Sequence, residues 1–247
     1  MAGHIYEKKG KIAYVTLNRP EKMNALNTEL IHGLSKTWVD FRDDDHLWVA
    51  ILTGAGKAFC VGADYQSVDD PEFTTIPIET PSHHQVWKPV ICAINGQALG
   101  RGMGLALGCD IRVVSEAAQF GCPEPKFGTI TRVDIFEPYL PRGIASEVLL
   151  VGDSISARRA YELNLVSRVV PQEQLLKEAT GIAQRLCENA PLAVRGIKEM
   201  LAKNKDLNRA EADELFEIMK ARLRSSEDRT EGMNAFKEKR KPRWQGR

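Results

Sequence analysis

Two glycine-rich turns and one glutamate hold the residue types from which a reactive site could be built. Gly62-Ala63-Asp64 ends the stretch that begins at Phe59, and Gly96 to Gly104 (GQALGRGMG) opens a helix. Glycine lets a backbone approach a ligand closely. The first N–H groups of a helix have no internal partner and carry partial positive charge. Two such groups converging on one point would stabilise an enolate or a tetrahedral oxyanion as its charge develops. Gly100, Gly102 and Gly104 equally suit close packing of a helix on a sheet, and the local sequence leaves both readings open. The run lacks the G-x-G-x-x-G spacing of a dinucleotide fold, Asp110 comes too early to hold a ribose, and no G-x-x-x-x-G-K-[ST] phosphate loop is present.

Glu124 follows a third glycine, in Phe120-Gly121-Cys122-Pro123-Glu124. In an apolar pocket its pKa would rise toward neutrality, which is what a proton shuttle working near pH 7 requires. Between Pro123 and Pro125 it also reads as a surface carboxylate. Asp134 suits a helix N-cap, with Glu137 three residues on as its reciprocal partner. His83 and His84 are adjacent, so regular structure would point them apart, and no carboxylate or cysteine set accompanies them as metal ligands. Cys60 and Cys122 have no histidine in their motifs to raise a thiolate. No metal site is expected.

These residues need a frame. Ile12 to Leu17, Trp48 to Thr53, Pro89 to Ile94 and Ile111 to Ser115 read as strands, the second and third running into glycine turns. Asn27 caps a helix with Leu30, Ile31, Leu34, Trp38 and Phe41 on one face. Strand, turn and helix in alternation imply a sheet with crossover helices and ligands at the carboxyl ends of the strands. Beyond Pro138 the pattern becomes helix upon helix: Ala145 to Val151, Ser156 to Asn164, Gln172 to Asn189, Leu192 to Lys203, Asn208 to Arg224 and Glu231 to Lys239. Ser156 and Asn208 stand as caps there. Gln66 to Gln85 has three prolines and no helical period, and reads as a loop of the kind that forms lids.

Bulk composition narrows the partners. The 247 residues are 43% apolar and 27% charged, with a formal net charge of +1. That is enough chain for one large domain or a domain with a small appendage, and it calls for neither nucleic acid nor an anionic membrane. No apolar run approaches membrane-spanning length. Met1 to Lys11 mixes His4, Glu7 and lysines without an apolar core, so no secretory signal is expected. Five scattered cysteines without a C-x-x-C fit free thiols in a reducing compartment, the cytoplasm.

Asn18-Arg19-Pro20-Glu21-Lys22-Met23-Asn24-Ala25-Leu26, Gly62-Ala63-Asp64, Lys88-Pro89-Val90-Ile91, Asn95 to Gly100, Cys109-Asp110 and Phe120 to Glu124 resemble, in order, the signatures of the crotonase, or enoyl-CoA hydratase/isomerase, superfamily. The likeness continues through Leu149 to Asp153, Ala157 to Val170 and Glu231 to Pro242, and so spans essentially the whole chain. It implies an α/β fold, a crotonase-like spiral of ββα units over residues 1–190, with a helical C-terminal trimerisation region over 191–247. A homotrimer or homohexamer follows from it, as does an acyl-CoA thioester substrate with coenzyme A as part of the substrate and no other cofactor.

The resemblance also implies site residues. Ala63 and Arg101 would supply the oxyanion-hole N–H groups, although Arg101 stands where the family normally has the middle glycine of a Gly-Gly-Gly run. Its side chain would go to the active-site floor or to a neighbouring subunit. Of the two glutamates that the family's hydratases use, one position is Gly104 here, so Glu124 alone remains, a pattern resembling the Δ3,Δ2-enoyl-CoA isomerases. Thr131-Arg132-Val133-Asp134-Ile135 replaces the usual Pro-Gly-x-Gly-Gly stretch. Other branches place a catalytic aspartate in this loop, which makes Asp134 a candidate second carboxylate. Asn24, Ala25 and Leu26, with Ala63, Asp64, Tyr65 and Gly100, are the matching contacts for the substrate. Phe236 and Lys239 correspond to residues that touch the coenzyme A of a neighbouring subunit. The expected function is enolate chemistry on an acyl-CoA, as hydratase or isomerase. Decarboxylation or hydrolysis of an unusual acyl-CoA or β-dicarbonyl, or non-catalytic binding of CoA esters, stand as alternatives.

Overall fold

Ile12 to Leu17 sends successive side chains to opposite faces of a sheet, and both faces are covered. Ala13, Val15 and Leu17 enter one buried layer with Leu30, Leu34, Trp38 and Phe41, whereas Ile12 enters a second with Val49, Ile51, Ile91, Ala93 and Val113. A sheet buried on both faces needs apolar strands throughout, and parallel strands joined by helices meet that need. The computed structural model describes residues 3–67, 69–77 and 79–247.

The strands are β1 (His4–Lys9), β2 (Ile12–Leu17), β3 (Val49–Gly54), β4 (Val90–Ile94), β5 (Gln97–Leu99), β6 (Ile111–Ser115), β7 (Gln119–Gly121), β8 (Ile155–Ser156) and β9 (Arg168–Val170). The helices are α1 (Thr28–Asp43), α2 (Pro71–Thr75), α3 (Arg101–Leu107), α4 (Val133–Phe136), α5 (Arg142–Val151), α6 (Ala157–Glu162), α7 (Leu175–Cys187), α8 (Pro191–Lys203), α9 (Arg209–Arg224) and α10 (Glu227–Lys237). The large sheet runs β1-β2-β3-β4-β6-β9. Only β1 is antiparallel, turned back on β2 through Gly10, whose φ is +60°. The small sheet runs β5-β7-β8. Each central turn of the chain therefore lays a strand in the large sheet, a short strand in the small one, and then a helix. The architecture is the α/β spiral implied by the resemblance, and helices close the C-terminal part.

Two helices fix the layers. Asn27 accepts a hydrogen bond from Leu30 N (3.0 Å) and starts α1, whose buried face holds Leu30, Ile31, Leu34, Trp38 and Phe41 as the periodicity requires. On the other side of the large sheet, α7 presents Leu175, Ala179, Ile182 and Ala183. Ser156 and Asn208 cap α6 and α9, and Asn208 forms a full capping box with Glu211.

Several expectations are corrected. β1 is too charged to read as a strand, and it forms because β2 offers it an edge. The part beyond Pro138 contains β8 and β9 as well as helices. The last helix begins at Glu227, not Glu231, because Ser226 accepts from Arg229 N (3.1 Å). Gln66 to Gln85 is not loop throughout: Asp70 accepts from Glu72 N (3.0 Å) and caps α2, while Val68 and Ile78 lie outside the described residues. Among the described residues, no helix is long and apolar enough to cross a membrane.

The glycine at position 102 is a packing requirement. A Cβ there would overlap the Cys60 carbonyl, a backbone atom that cannot step aside. Gly143, on an exposed face of α5, has open space around it. Gly102→Ala is expected to lower stability by about 1–3 kcal/mol, and Gly143→Ala to raise it by roughly 0.5–1 kcal/mol through helix propensity. Urea midpoints of the two variants against the parent chain check both signs.

Candidate active site

Three chain segments leave the carboxyl ends of β3, β4 and β6 and run side by side. Cys60 bridges Ala98 in parallel, with Cys60 N donating to Gln97 O (2.9 Å) and Leu99 N to Cys60 O (2.9 Å). β5 pairs in parallel with β7, and Gly100 N donates to Gly121 O (2.8 Å). Ala63, Arg101 and Glu124 each lie within three residues of these pairings, which brings them to one place.

The orientation of the Ala63 N–H follows from a second bridge. Leu26 N donates to Gly62 O (2.7 Å) and Asp64 N donates to Leu26 O (2.8 Å). Both ladder groups belong to the neighbours of Ala63, so its own N–H points the opposite way, and Ala63 lines the main cavity. Arg101 is the first residue of α3, where an N–H has no acceptor within the helix, and it lines the same cavity. Gly62, with φ +99°, joins the two turns: a Cβ on it would stand 3.5 Å from Arg101 N. Neither the Ala63 N–H nor the Arg101 N–H has a backbone acceptor among the described residues, and both residues line one cavity from adjacent turns.

Glu124 completes the group. A Cβ on Gly100 would overlap its Oε1 and lie 3.1 Å from its Cδ, so the carboxylate rests against the N-cap of α3. Gly100 has φ +50° and ψ −124°, a backbone that side chains rarely adopt, so glycine is required there twice over. Glu124 Oε2 is buried and has no hydrogen-bond partner among the described residues. Burial pushes the carboxyl above its usual 4.5, with only its own backbone N–H opposing. The local reading of Glu124 as a surface carboxylate does not hold.

The other candidates divide. Tyr65 is exposed and makes an edge contact with Phe127 (5.4 Å), and both line the cavity. Asn24 is fully buried: Arg19 N donates to its Oδ1 (2.9 Å), and its Nδ2 donates to Ala55 O (2.9 Å) and Ala58 O (2.8 Å). Its amide therefore holds the turn after β3 and is not free for a ligand. Ala25 and Leu26 are buried beside it. Asp64 is buried in an ion pair with Arg19 (2.8 Å). Burial alone would raise its carboxyl, but Arg19 and the Gln66 N–H hold it below the usual range. Gly104 lies in the cavity wall and offers no side chain. Asp134 lines the cavity rim in an exposed pair with Arg132 (2.5 Å), which lowers its pKa. Asp134 is not the N-cap of α4, as its type suggested. That position is Arg132, without a side-chain cap bond.

Phe236 is 83% exposed and, like Lys239, does not line this cavity. Lys239 follows α10 with φ +54°. Burial holds Cys60 as a thiol with a pKa pushed up to about 12, and raises Cys122 likewise. His84 pairs with Glu79, and His83 is exposed at the cavity. No cluster able to hold a metal occurs among the described residues.

The cavity measures about 920 Å³ and is walled by Phe73, Ile76, Pro77, Leu107, Ile135 and Tyr139 around the polar group. Sequence reading missed this wall, although Phe73, the one Phe, Tyr or Trp between Gln66 and Gln85, could have marked it. The α/β spiral thus brings two glycine-rich turns and the Glu124 carboxylate to one cavity at its strand ends, the arrangement of an enzyme site. Comparison with known proteins specifies the family. The profile of the enoyl-CoA hydratase/isomerase family matches residues 7–247, and this chain belongs to that family. It is 37% identical to (E)-benzylidenesuccinyl-CoA hydratase of Thauera aromatica, covering 97% of this chain and 98% of that protein. It is 32% identical to 2,3-dehydroadipyl-CoA hydratase of Escherichia coli over the full length of both. Among solved structures, an enoyl-CoA hydratase/isomerase from Mycobacterium paratuberculosis superposes with a TM-score of 0.92 at 38% identity over 99% of each chain. An enoyl-CoA hydratase from Bacillus anthracis gives 0.93 at 31% identity, over 99% of this chain and 100% of that one. The chain is thus an acyl-CoA enzyme of the hydratase or isomerase type.

The sign of the Glu124 shift has a consequence for stability. Between pH 4.5 and its raised folded pKa, the folded chain binds more protons than the unfolded one, so this group's contribution falls as pH rises across that window. Glu124→Gln is therefore expected to melt above the parent chain at pH 7.5, with the gap closing near pH 4. Thermal unfolding at the two pH values measures it.

Proposed function

We propose that the chain holds an acyl-CoA thioester with its carbonyl oxygen between the Ala63 and Arg101 N–H groups, and that Glu124 moves protons beside that carbonyl. Of the reactions available to the family, this arrangement best serves the shift of a 3-enoyl thioester to its 2-enoyl isomer. The observation that carries the reading is the Glu124 carboxylate itself, packed on Gly100 beside both N–H groups with Oε2 buried and unpartnered. Gly104, in the same cavity wall, contributes no second acid.

In the forward direction, Glu124 takes a proton from the α-carbon. The C–H electron pair moves toward the thioester carbonyl, and the two N–H groups meet the charge that develops on oxygen. Protonated Glu124 then returns the proton to the γ-carbon as the double bond settles between the α- and β-carbons. One base suffices because the same proton is removed and delivered. A carboxylate whose pKa is raised above its ordinary value is a stronger base in the first step than an exposed one.

Hydration is the second reading. It is favoured by the hydratase names of the relatives and by Asp134 on the cavity rim, which would have to leave Arg132 to activate water. For the rest of the substrate, the turn of Asn24, Ala25 and Leu26, with Asp64 and Tyr65, supports the coenzyme A moiety through its backbone and the Tyr65 ring. Phe236 and Lys239 would reach the coenzyme A of a neighbouring subunit in a homotrimer or homohexamer assembled through residues 191–247. No cofactor beyond the coenzyme A of the substrate is needed. The five free thiols suit a reducing compartment such as the cytoplasm.

Incubation with 3-enoyl- and 2-enoyl-CoA esters in deuterated water, read by mass, tests the assignment. The 3-enoyl ester should convert to its 2-enoyl isomer with the original α-hydrogen largely retained at the γ-carbon and little deuterium taken up, and Glu124→Gln should slow this by about 100-fold or more. Formation of only the 3-hydroxyacyl product would select hydration instead. Because the base must be ionised, kcat/KM should fall as pH drops through a value above 4.5, and that limb should vanish in whatever activity Glu124→Gln retains.

A further inference from the structure

Arg101 occupies the position whose N–H faces the cavity, yet its side chain leaves in another direction. Nη2 donates to Ile76 O (2.8 Å) and Pro77 O (3.2 Å), and Nη1 donates to Phe73 O (3.4 Å). The guanidinium stacks on the Phe73 ring at 4.7 Å. No carboxylate forms an ion pair with it among the described residues. The charge is met by backbone carbonyls and a ring face, and a fork of several donors is what such a group of carbonyls requires.

The segment that it holds has little else to hold it. α2 is five residues long, too short to persist alone. At its start, Thr28 Oγ1 donates to Asp70 (2.7 Å), and His32 bonds Glu72 (2.7 Å) on the surface. Phe73 alone among residues 70–77 is buried. Past Ile76 and Pro77, the next anchor among the described residues is Glu79 O, which accepts from Trp38 Nε1 (2.9 Å). Phe73, Thr74, Ile76 and Pro77 all line the cavity. The Arg101 guanidinium thus ties the middle of a weakly anchored wall to the turn that carries an oxyanion donor.

We propose that the Arg101 side chain is a latch that fixes the 73–77 wall and so sets the size of acyl group the cavity admits. Arg101 then acts twice, through its N–H at the thioester and through its side chain as a positioning residue for selectivity. The inference rests on the reading of the cavity as an acyl-CoA site, but half of its test does not.

Arg101→Met keeps the backbone N–H and an apolar chain over Phe73 while removing every donor, and Arg101→Lys keeps a cation that can reach one carbonyl. Hydrogen exchange of the amides at 72–76 in the full-length protein reads the latch directly. It should speed up by at least about tenfold in Arg101→Met and less in Arg101→Lys, since removing charged hydrogen bonds is worth that much. Calorimetric binding of butyryl- and decanoyl-CoA, which cannot react, reads selectivity. The ratio of affinities should shift by about tenfold toward the longer ester in Arg101→Met, a size typical of pocket discrimination between alkyl groups. Unchanged exchange at 72–76 overturns the latch. Faster exchange with both esters weakened equally overturns the role in selectivity. Should the parent chain bind neither ester, the acyl-CoA reading fails, and the exchange result still decides whether Arg101 holds the wall.

Discussion

Parallel pairing in the small sheet is the constraint on which the site depends. Cys60 against Ala98, and β5 against β7, set three turns of the spiral in register, and each turn then delivers one functional group a few residues later. The spacing is so close that side chains are excluded where the turns touch. Cβ atoms on Gly96, Gly100 and Gly102 would overlap the Lys57 carbonyl, the Glu124 carboxylate and the Cys60 carbonyl in turn. The large sheet, with α1 on one face and α7 on the other, holds the strand ends at the spacing this layer needs.

The same closeness explains the electrostatics. Glu124 is desolvated because the turn of Gly100 covers it, and no Arg or Lys forms an ion pair with it among the described residues. The neighbouring acid Asp64 shows the opposite solution. It is buried too, but Arg19 and a backbone N–H pair with it and keep it ionised. Two desolvated carboxylates a few turns apart thus hold different protonation tendencies, one lowered by its partners and the other raised by burial.

Much of this was legible in the sequence where the signal is local or ordered. The α1 face, the caps at Asn27, Ser156 and Asn208, and the ordered motifs from Arg19 to Glu124 led to the right fold and family. What escaped detection is set by tertiary pairing. β1, β5, β7, β8 and β9 are short or charged, and exist because a neighbour offers hydrogen bonds. Asp134 has the chemistry of an N-cap, but α4 is capped two residues earlier, at Arg132, and the aspartate pairs with that arginine instead. Asn24 sits in a family motif, and nothing local says that its amide is spent on the carbonyls of Ala55 and Ala58. The destination of the Arg101 side chain depends on α2 and the two residues after it, with acceptors 24 to 28 residues upstream, and no pattern of spacing encodes it.

Arg101 stands between two positions where the backbone tolerates nothing larger than hydrogen, yet its own side chain projects away from the crowded layer. Mutation at 100 or 102 meets a wall of main chain or the carboxylate itself, while mutation at 101 leaves the peptide N–H in place and alters only what reaches the outer loop. Backbone and side chain at this one position are thus uncoupled: substitution changes what reaches residues 73–77 while the peptide N–H at the start of α3 stays where it is.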